Sequence, residues 1–130
     1  MNRQEQQTEA RHIEAVNLAE KFAKFDAHWS PKIVGELNNF HVKLVKVQGE
    51  FVWHHHETED ELFLVVQGRL LMRFRDREVW VENGEFIIVP HGVEHCPSAN
   101  AECHILLLEP KTTVNTGTER SERTAELEWI

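Results

Sequence analysis

Apolar residues first recur at helical steps. Leu18, Phe22, Phe25 and Trp29 are spaced four, three and four apart, which is one face of a helix. The spacing predicts a helix from Thr8 to Trp29, stopped by Ser30-Pro31 and laid over one face of a sheet. Beyond Pro31 the period drops to two. Phe40-His41-Val42-Lys43-Leu44 alternates apolar and polar as a strand does, and Val45 breaks the alternation, which predicts a bulge near there. Further strands are predicted at Phe51 to His56, Glu61 to Gln67, Leu70 to Phe74, Glu78 to Val81, Phe86 to Val89, Val93 to Cys96 and Cys103 to Leu108. Gly49, Gln67-Gly68, Asp76-Arg77, Asn83-Gly84, Pro90-His91-Gly92 and Ser98-Ala99-Asn100 supply the turns. Many short strands with no helix-length segment between them predict an all-β sandwich or barrel and disfavour a parallel α/β sheet. The chain divides into a polar start and covering helix (1–30), a β-barrel (31–110) and a tail (111–130). The tail is mostly polar, but its Leu127-Glu128-Trp129-Ile130 end is expected to dock on the body.

Some strands are apolar on both faces, Leu62-Phe63-Leu64-Val65-Val66 above all. One face can fill a barrel; the other needs a second sheet, the helix or another chain, so a homodimer is expected. Composition narrows the partners. With 14 basic and 22 acidic residues the formal charge is −8, which argues against nucleic acid. The longest apolar runs, such as Ile105 to Leu108, are far short of a membrane helix. Met1 to Ala10 has no apolar signal core, so a cytoplasmic location is expected. Cys96 and Cys103 are read as reduced packing residues.

Histidine is the unusual residue type, with nine in 130 residues. In Trp53-His54-His55-His56, alternation puts His54 and His56 on one face, with Cα atoms roughly 6.5–7 Å apart, and turns His55 away. The polar Glu57-Thr58-Glu59-Asp60 turn returns the chain so that Glu61 sits beside the pair, while Asp60 stays outside. His95 follows the tight Pro90-His91-Gly92 turn, with Glu94 and Cys96 pointing away. Three imidazoles and one carboxylate suit a divalent first-row transition metal, with iron, manganese, nickel, zinc and copper all admissible. His91 reads as a rim residue, and His12, His28, His41 and His104 as surface or packing residues.

These motifs, Gly49-x4-His54-x-His56-x4-Glu61-x6-Gly68 and Gly84-x5-Pro90-x-Gly92-x2-His95, resemble those of the cupin superfamily. Phe22-x2-Phe25-x3-Trp29-Ser30-Pro31-Lys32, Trp53-His54-x-His56, Glu109-Pro110 and Asn115-Thr116-Gly117 are similar to short bacterial cupins described as mannose-6-phosphate isomerase-like. The resemblance implies a double-stranded β-helix, that is, a jelly-roll barrel with a short N-terminal helix. It also implies His54, His56, Glu61 and His95 as metal ligands. Two departures affect loop geometry more than metal ligation: the first glycine-to-histidine gap is one residue short, and Ala99 replaces the asparagine that usually ends the second motif.

An inward face carrying His54, His56 and Glu61 also carries Val52, Phe63 and Val65. On the next strand, Leu70, Met72 and Phe74 are expected inside and Arg69, Arg73 and Arg75 outside, since burying unpaired guanidiniums is costly. The pocket is then mostly apolar, lined by Val52, Phe63, Val65, Met72 and Phe74, and suits a small molecule that chelates through one or two oxygens. No inward Lys or Arg is evident for a sugar phosphate, which weakens the isomerase analogy. The expected function is a metal-dependent enzyme of dioxygenase or isomerase type, with no general base identifiable. The alternative is a non-catalytic small-molecule or metal-binding module, and an empty structural barrel ranks last.

Overall fold

The computed structural model describes residues 13–118, 121 and 124–130. Helix α1 (Leu18–Phe22) precedes eight strands: β1 (Lys32–Leu37), β2 (Phe40–Glu50), β3 (Glu61–Gln67), β4 (Arg69–Phe74), β5 (Glu78–Glu82), β6 (Phe86–Val89), β7 (His95–Pro110) and β8 (Glu128–Trp129). The hydrogen-bonded order is β5-β4-β7-β2-β1-β8, with β3 joined to both β7 and β6 and the sheet left open.

Strand β7 organises the molecule. Its first residues pair with β4, from His95 opposite Phe74 to Ser98 opposite Leu71. Further along the same edge it pairs with β3, from His104 opposite Gln67 to Leu108 opposite Leu62. Its other edge holds β2, from Ser98 opposite Glu50 to Pro110 opposite Phe40. One strand therefore bends from one layer into the other, as in a jelly roll. Ser98-Ala99-Asn100 does not end it: the predicted turn is only a register shift between Val47 and Gly49 in the β2–β7 ladder. Two predicted strands thus merge into one.

Between the layers lie Val45, Val47, Phe63, Val65, Leu70, Met72, Val81, Val89, Ile105 and Leu107. Leu70 and Met72 are fully buried, and Phe74 packs on the same core. On the opposite face Arg69 lies over Trp80 and Arg75 over Trp53, each 3.9 Å from the ring centre. The arginine row is thus outside, where its guanidiniums stay hydrated or stacked.

Three local predictions need correction. The helix is much shorter than Thr8 to Trp29; residues 8–12 lie outside the described residues. Asn17 caps its start, with Oδ1 accepting from Glu20 N–H at 3.0 Å. After Ala23 the chain extends, because His28 bridges to Lys46 and Trp29 N–H donates to Lys46 O at 2.9 Å. Phe22 and Phe25 still pack on Leu44, so the periodicity marked burial rather than a long helix. The bulge expected near Val45 falls further on: β2 keeps its register with β7 through Val47 and shifts between Val47 and Gly49. The alternation fails at Val45 because both faces of β2 are covered, Leu44 by the Phe22–Phe25 cluster and Val45 by the main core. Residues 51–56 form no continuous strand; only His54 makes a bridge, with His95.

The C-terminal end docks. β8 pairs parallel with β1, and Ile130 joins the Phe22–Phe25 cluster, where Lys21 Nζ donates to its backbone oxygen at 2.9 Å. Among the described residues, no helix is long and apolar enough to cross a membrane.

Candidate metal centre

His54 and His95 lie on adjacent segments and exchange both backbone hydrogen bonds, at 3.0 and 2.9 Å. Directly opposed residues of an antiparallel pair point to the same face, and the two rings are 4.3 Å apart. Two residues on, His56 O accepts from Gly92 N–H at 2.7 Å, which ties this segment to the Pro90-Gly92 turn. Glu61 opens β3 on the same inner side. The polar turn between carries Asp60 outside, where its Oδ1 accepts from both the backbone and the ring Nδ1 of His91, each at 2.8 Å.

His54, His56, Glu61 and His95 are all buried, and one ligand atom from each lies within 4.8 Å of all the others. Backbone carbonyls choose the tautomers. His54 Nδ1 sits 2.8 Å from Val52 O, and His95 Nδ1 sits 2.8 Å from Val93 O. A carbonyl only accepts, so each Nδ1 carries hydrogen, and the neutral form of each ring presents its Nε2 lone pair to the cluster. His56 Nε2 is 2.8 Å from Glu61 Oε1 and His95 Nε2 is 3.5 Å from it. These approaches are close but off-axis. All three atoms are buried without an aligned hydrogen-bond partner. Convergent, unpartnered lone pairs of this kind fit a cation placed among them.

Protonation favours the same use. Burial, then the charge of His95, lowers His54 to about 4. Burial alone would raise Glu61, but the neighbouring Glu109, His56 and His95 hold it well below the usual carboxylate range. At neutral pH the cluster therefore offers a neutral His54 and an ionised Glu61, the forms that ligate.

Glu109, near the end of β7, was not foreseen from sequence. It is fully buried against Glu61, and Lys43 Nζ lies 2.8 Å from its Oε1. Burial, then the charge of Glu61, raises Glu109 well above the usual range, so one proton serves the two carboxyls. Lys43 is buried, and so is His41, which was expected at the surface or in packing. They share the β2 face of Val45 and Val47, and Lys43 turns in because Glu109 awaits it.

Beside the cluster lies a cavity lined by Trp29, Phe51, Phe63, Ile105, Leu107 and other apolar residues, with His54, Glu61, Glu109 and Asn115 as its polar groups. Of the residues predicted to line a pocket, Phe63 does. Val65, Met72 and Phe74 belong to the core packing, and Val52 is half-buried with Phe51 in its place on the wall. Val47, Phe51 and His54 all line the cavity, so the inward parity changes between Phe51 and His54, where the chain forms no continuous strand. The tail closes this end. Gly117 (φ +61°) packs so tightly that a Cβ there would lie 2.0 Å from His55 O, and Thr118 N–H donates to that same oxygen at 3.2 Å. His55 is half-buried beneath it. Cys96 lies on the opposite face from His95, with Arg73 3.3 Å from its sulfur.

A bent-strand β-sandwich with a His, His, Glu, His cluster at the inner face defines a class of small β-domains that can hold a metal. Residues 41–109 match the cupin domain family, and the chain belongs to it. It is similar to a cupin-2 domain protein from Shewanella frigidimarina (44% identity, TM-score 0.73, covering 82% of this chain and 99% of that one). Protein NMB1881 from Neisseria meningitidis is also similar (30% identity, TM-score 0.69, 75% of this chain and 100% of that one). The uncharacterized protein YdbB of Bacillus subtilis is 37% identical over 82 residues, which span 62% of this chain and 66% of YdbB.

Proposed function

We propose that this chain is a metal-dependent enzyme that presents one divalent transition metal, held by His54, His56, Glu61 and His95, to a small chelating organic substrate in the adjoining apolar cavity. The observation that carries this reading is the set of buried donor atoms without aligned partners: His56 Nε2, His95 Nε2 and Glu61 Oε1. Leaving a buried polar atom unpaired costs about 1–3 kcal/mol, and one cation relieves all three. When bound, the metal supplies Lewis acidity or, if it is iron, dioxygen chemistry. The chain supplies the rest. Phe51, Phe63 and Leu107 keep water from the substrate, and the Glu109 carboxyl holds a proton at the cavity wall. The reaction is of dioxygenase or isomerase type. A sugar phosphate is disfavoured, because the buried cation Lys43 is taken by Glu109.

Purification without chelator or immobilised metal, followed by elemental analysis, tests the reading. Iron with oxygen uptake on catechol, thiol or diketone substrates supports a dioxygenase. Zinc or nickel with solvent-proton exchange into a substrate supports an isomerase. Bound metal with neither activity moves the protein to a non-catalytic metal-binding module, and no metal uptake removes the proposal.

We further infer a homodimer. The outer faces of β3, β6 and β7 carry two apolar ladders, Phe86–Leu64–Leu106 and Ile88–Leu62–Leu108. Residues around α1 cover the Leu106 end, while Phe86 and Ile88 remain exposed. A second copy of this face covers them. Two free buried thiols, Cys96 and Cys103, support a reducing, cytoplasmic setting.

A further inference from the structure

Two described residues other than glycine adopt a left-handed backbone: Asn38 (φ +52°) and Trp29 (φ +60°). Asparagine tolerates that region in turns, whereas a bulky side chain is held there only when its surroundings force it. Trp29 is forced from four directions. Its N–H donates to Lys46 O at 2.9 Å, and its Nε1–H donates to Gln48 O at 3.0 Å. Its carbonyl accepts from Asn115 Nδ2 at 3.4 Å. Its ring stacks on Phe51, with centroids 4.7 Å apart and planes 17° apart. Such residues gather at ligand clamps, and this one lines the cavity.

We propose that Trp29, backed by Phe51, is a shelf that selects a flat, uncharged group, an aromatic ring or a conjugated enol, on the chelating substrate; this deepens the metal-site reading and rests on it. Distance places the shelf within reach of the centre, since the Phe51 ring meets His54 edge-to-face at 5.4 Å. A molecule chelating at His54 therefore has its next few atoms beside these rings. Chemistry selects what those atoms are. The indole N–H is already used by Gln48 O, so Trp29 offers the ligand only its π surface. The Asn115 amide is committed at both ends, to Trp29 O and, through Oδ1, to Ala125 N–H at 2.8 Å. Away from the metal ligands and Glu109, the described wall residues leave no free polar side chain for the hydroxyls of a carbohydrate. Among the described residues no Lys or Arg lines the wall, and the ionised Glu61 opposes an anionic tail. Flat rings stack favourably on such a wall, and puckered rings of the same size do not.

Three probes with one chelating group test this: benzohydroxamate, cyclohexanecarbohydroxamate and acetohydroxamate, titrated calorimetrically into nickel-loaded protein. Benzohydroxamate is expected to bind at least fivefold tighter than its cyclohexane counterpart. Trp29→Leu is expected to abolish that ratio while leaving nickel content and acetohydroxamate affinity unchanged, and Trp29→Phe, which keeps a flat ring, to retain it. A wild-type ratio below fivefold overturns the proposal on its own, even if Trp29→Leu does not fold. Should the chain take up no nickel, the metal reading fails separately, and the shelf is tested on the metal-free protein by NMR with benzyl alcohol against cyclohexylmethanol. Perturbation of the Trp29 indole resonance by benzyl alcohol alone supports the shelf; equal or absent perturbation overturns it.

Discussion

His54 and His95 hold each other's backbone through two hydrogen bonds, and each fixes its own ring by giving Nδ1 to the carbonyl two residues before it. The pair is therefore oriented before any ion arrives, with both Nε2 lone pairs turned to the inner face. Preorientation of this kind lowers the cost of assembling a site, and the residues that do it are backbone groups no substitution removes.

Acid should weaken the fold in a defined window. His54 falls from the ordinary 6.5 to about 4, so the unfolded chain binds a proton that the folded chain refuses between those values. Stability from this group is complete above pH 6.5, declines as pH falls toward 4, and changes no further below. The loss amounts to about 3 kcal/mol. Urea midpoints in the presence of chelator, taken at pH 7.5 and 5, check it; equal midpoints would contradict the neutral, buried imidazole.

The Lys43–Glu109–Glu61 chain balances one ammonium against two carboxyls that share a proton. Lys43→Met leaves the carboxyls without their cation and is expected to cost about 3 kcal/mol or more. Glu109→Gln keeps a neutral group of the same shape and should cost within about 1 kcal/mol. Denaturant titration of both variants ranks them, and the reverse order is evidence that Glu109 is ionised.

Gly117 and Gly49 separate steric from conformational cost. Both have positive φ, but a Cβ at Gly49 meets nothing within 4 Å, whereas at Gly117 it strikes His55 O. Gly49→Ala should lose roughly 1 kcal/mol. Gly117→Ala should lose clearly more and loosen the tail over His54. Thermal melts and limited proteolysis of the tail report both effects.

For the dimer, Phe86→Asp and Ile88→Asp put charge on the exposed ends of the apolar ladders. Light scattering should give twice the chain mass for the parent and one chain mass for the double variant. A parent that scatters as a single chain at micromolar concentration removes the interface.

Much of the site's geometry was legible because a short motif and a two-residue period carry it. His54 and His56 share a face, Glu61 returns after a five-residue step, and His95 follows a Pro/Gly turn; none of this needs long-range information. Other features lay outside local pattern. Glu109 closes the apolar run Ile105 to Leu108, where a charge ordinarily marks a strand reaching solvent; only the pairing of β7 with β2 reveals Lys43 beside it. The helix is shorter than its periodicity implies because an extended chain places Phe25, buried, and Trp29, half-buried, at helical spacing. Likewise Ala99, which reads as part of a turn, is a buried point along β7, since the register shift at Gly49 absorbs the bend.

Metal content tests the central claim most directly. Protein prepared without chelator should carry close to one transition-metal ion per chain. His55→Ala should keep it, because His55 points away from the cluster, and His56→Ala and His95→Ala should each lose most of it while remaining folded by circular dichroism. Equal loss in all three variants, or a folded parent chain that neither carries nor takes up metal, would contradict the four-residue centre.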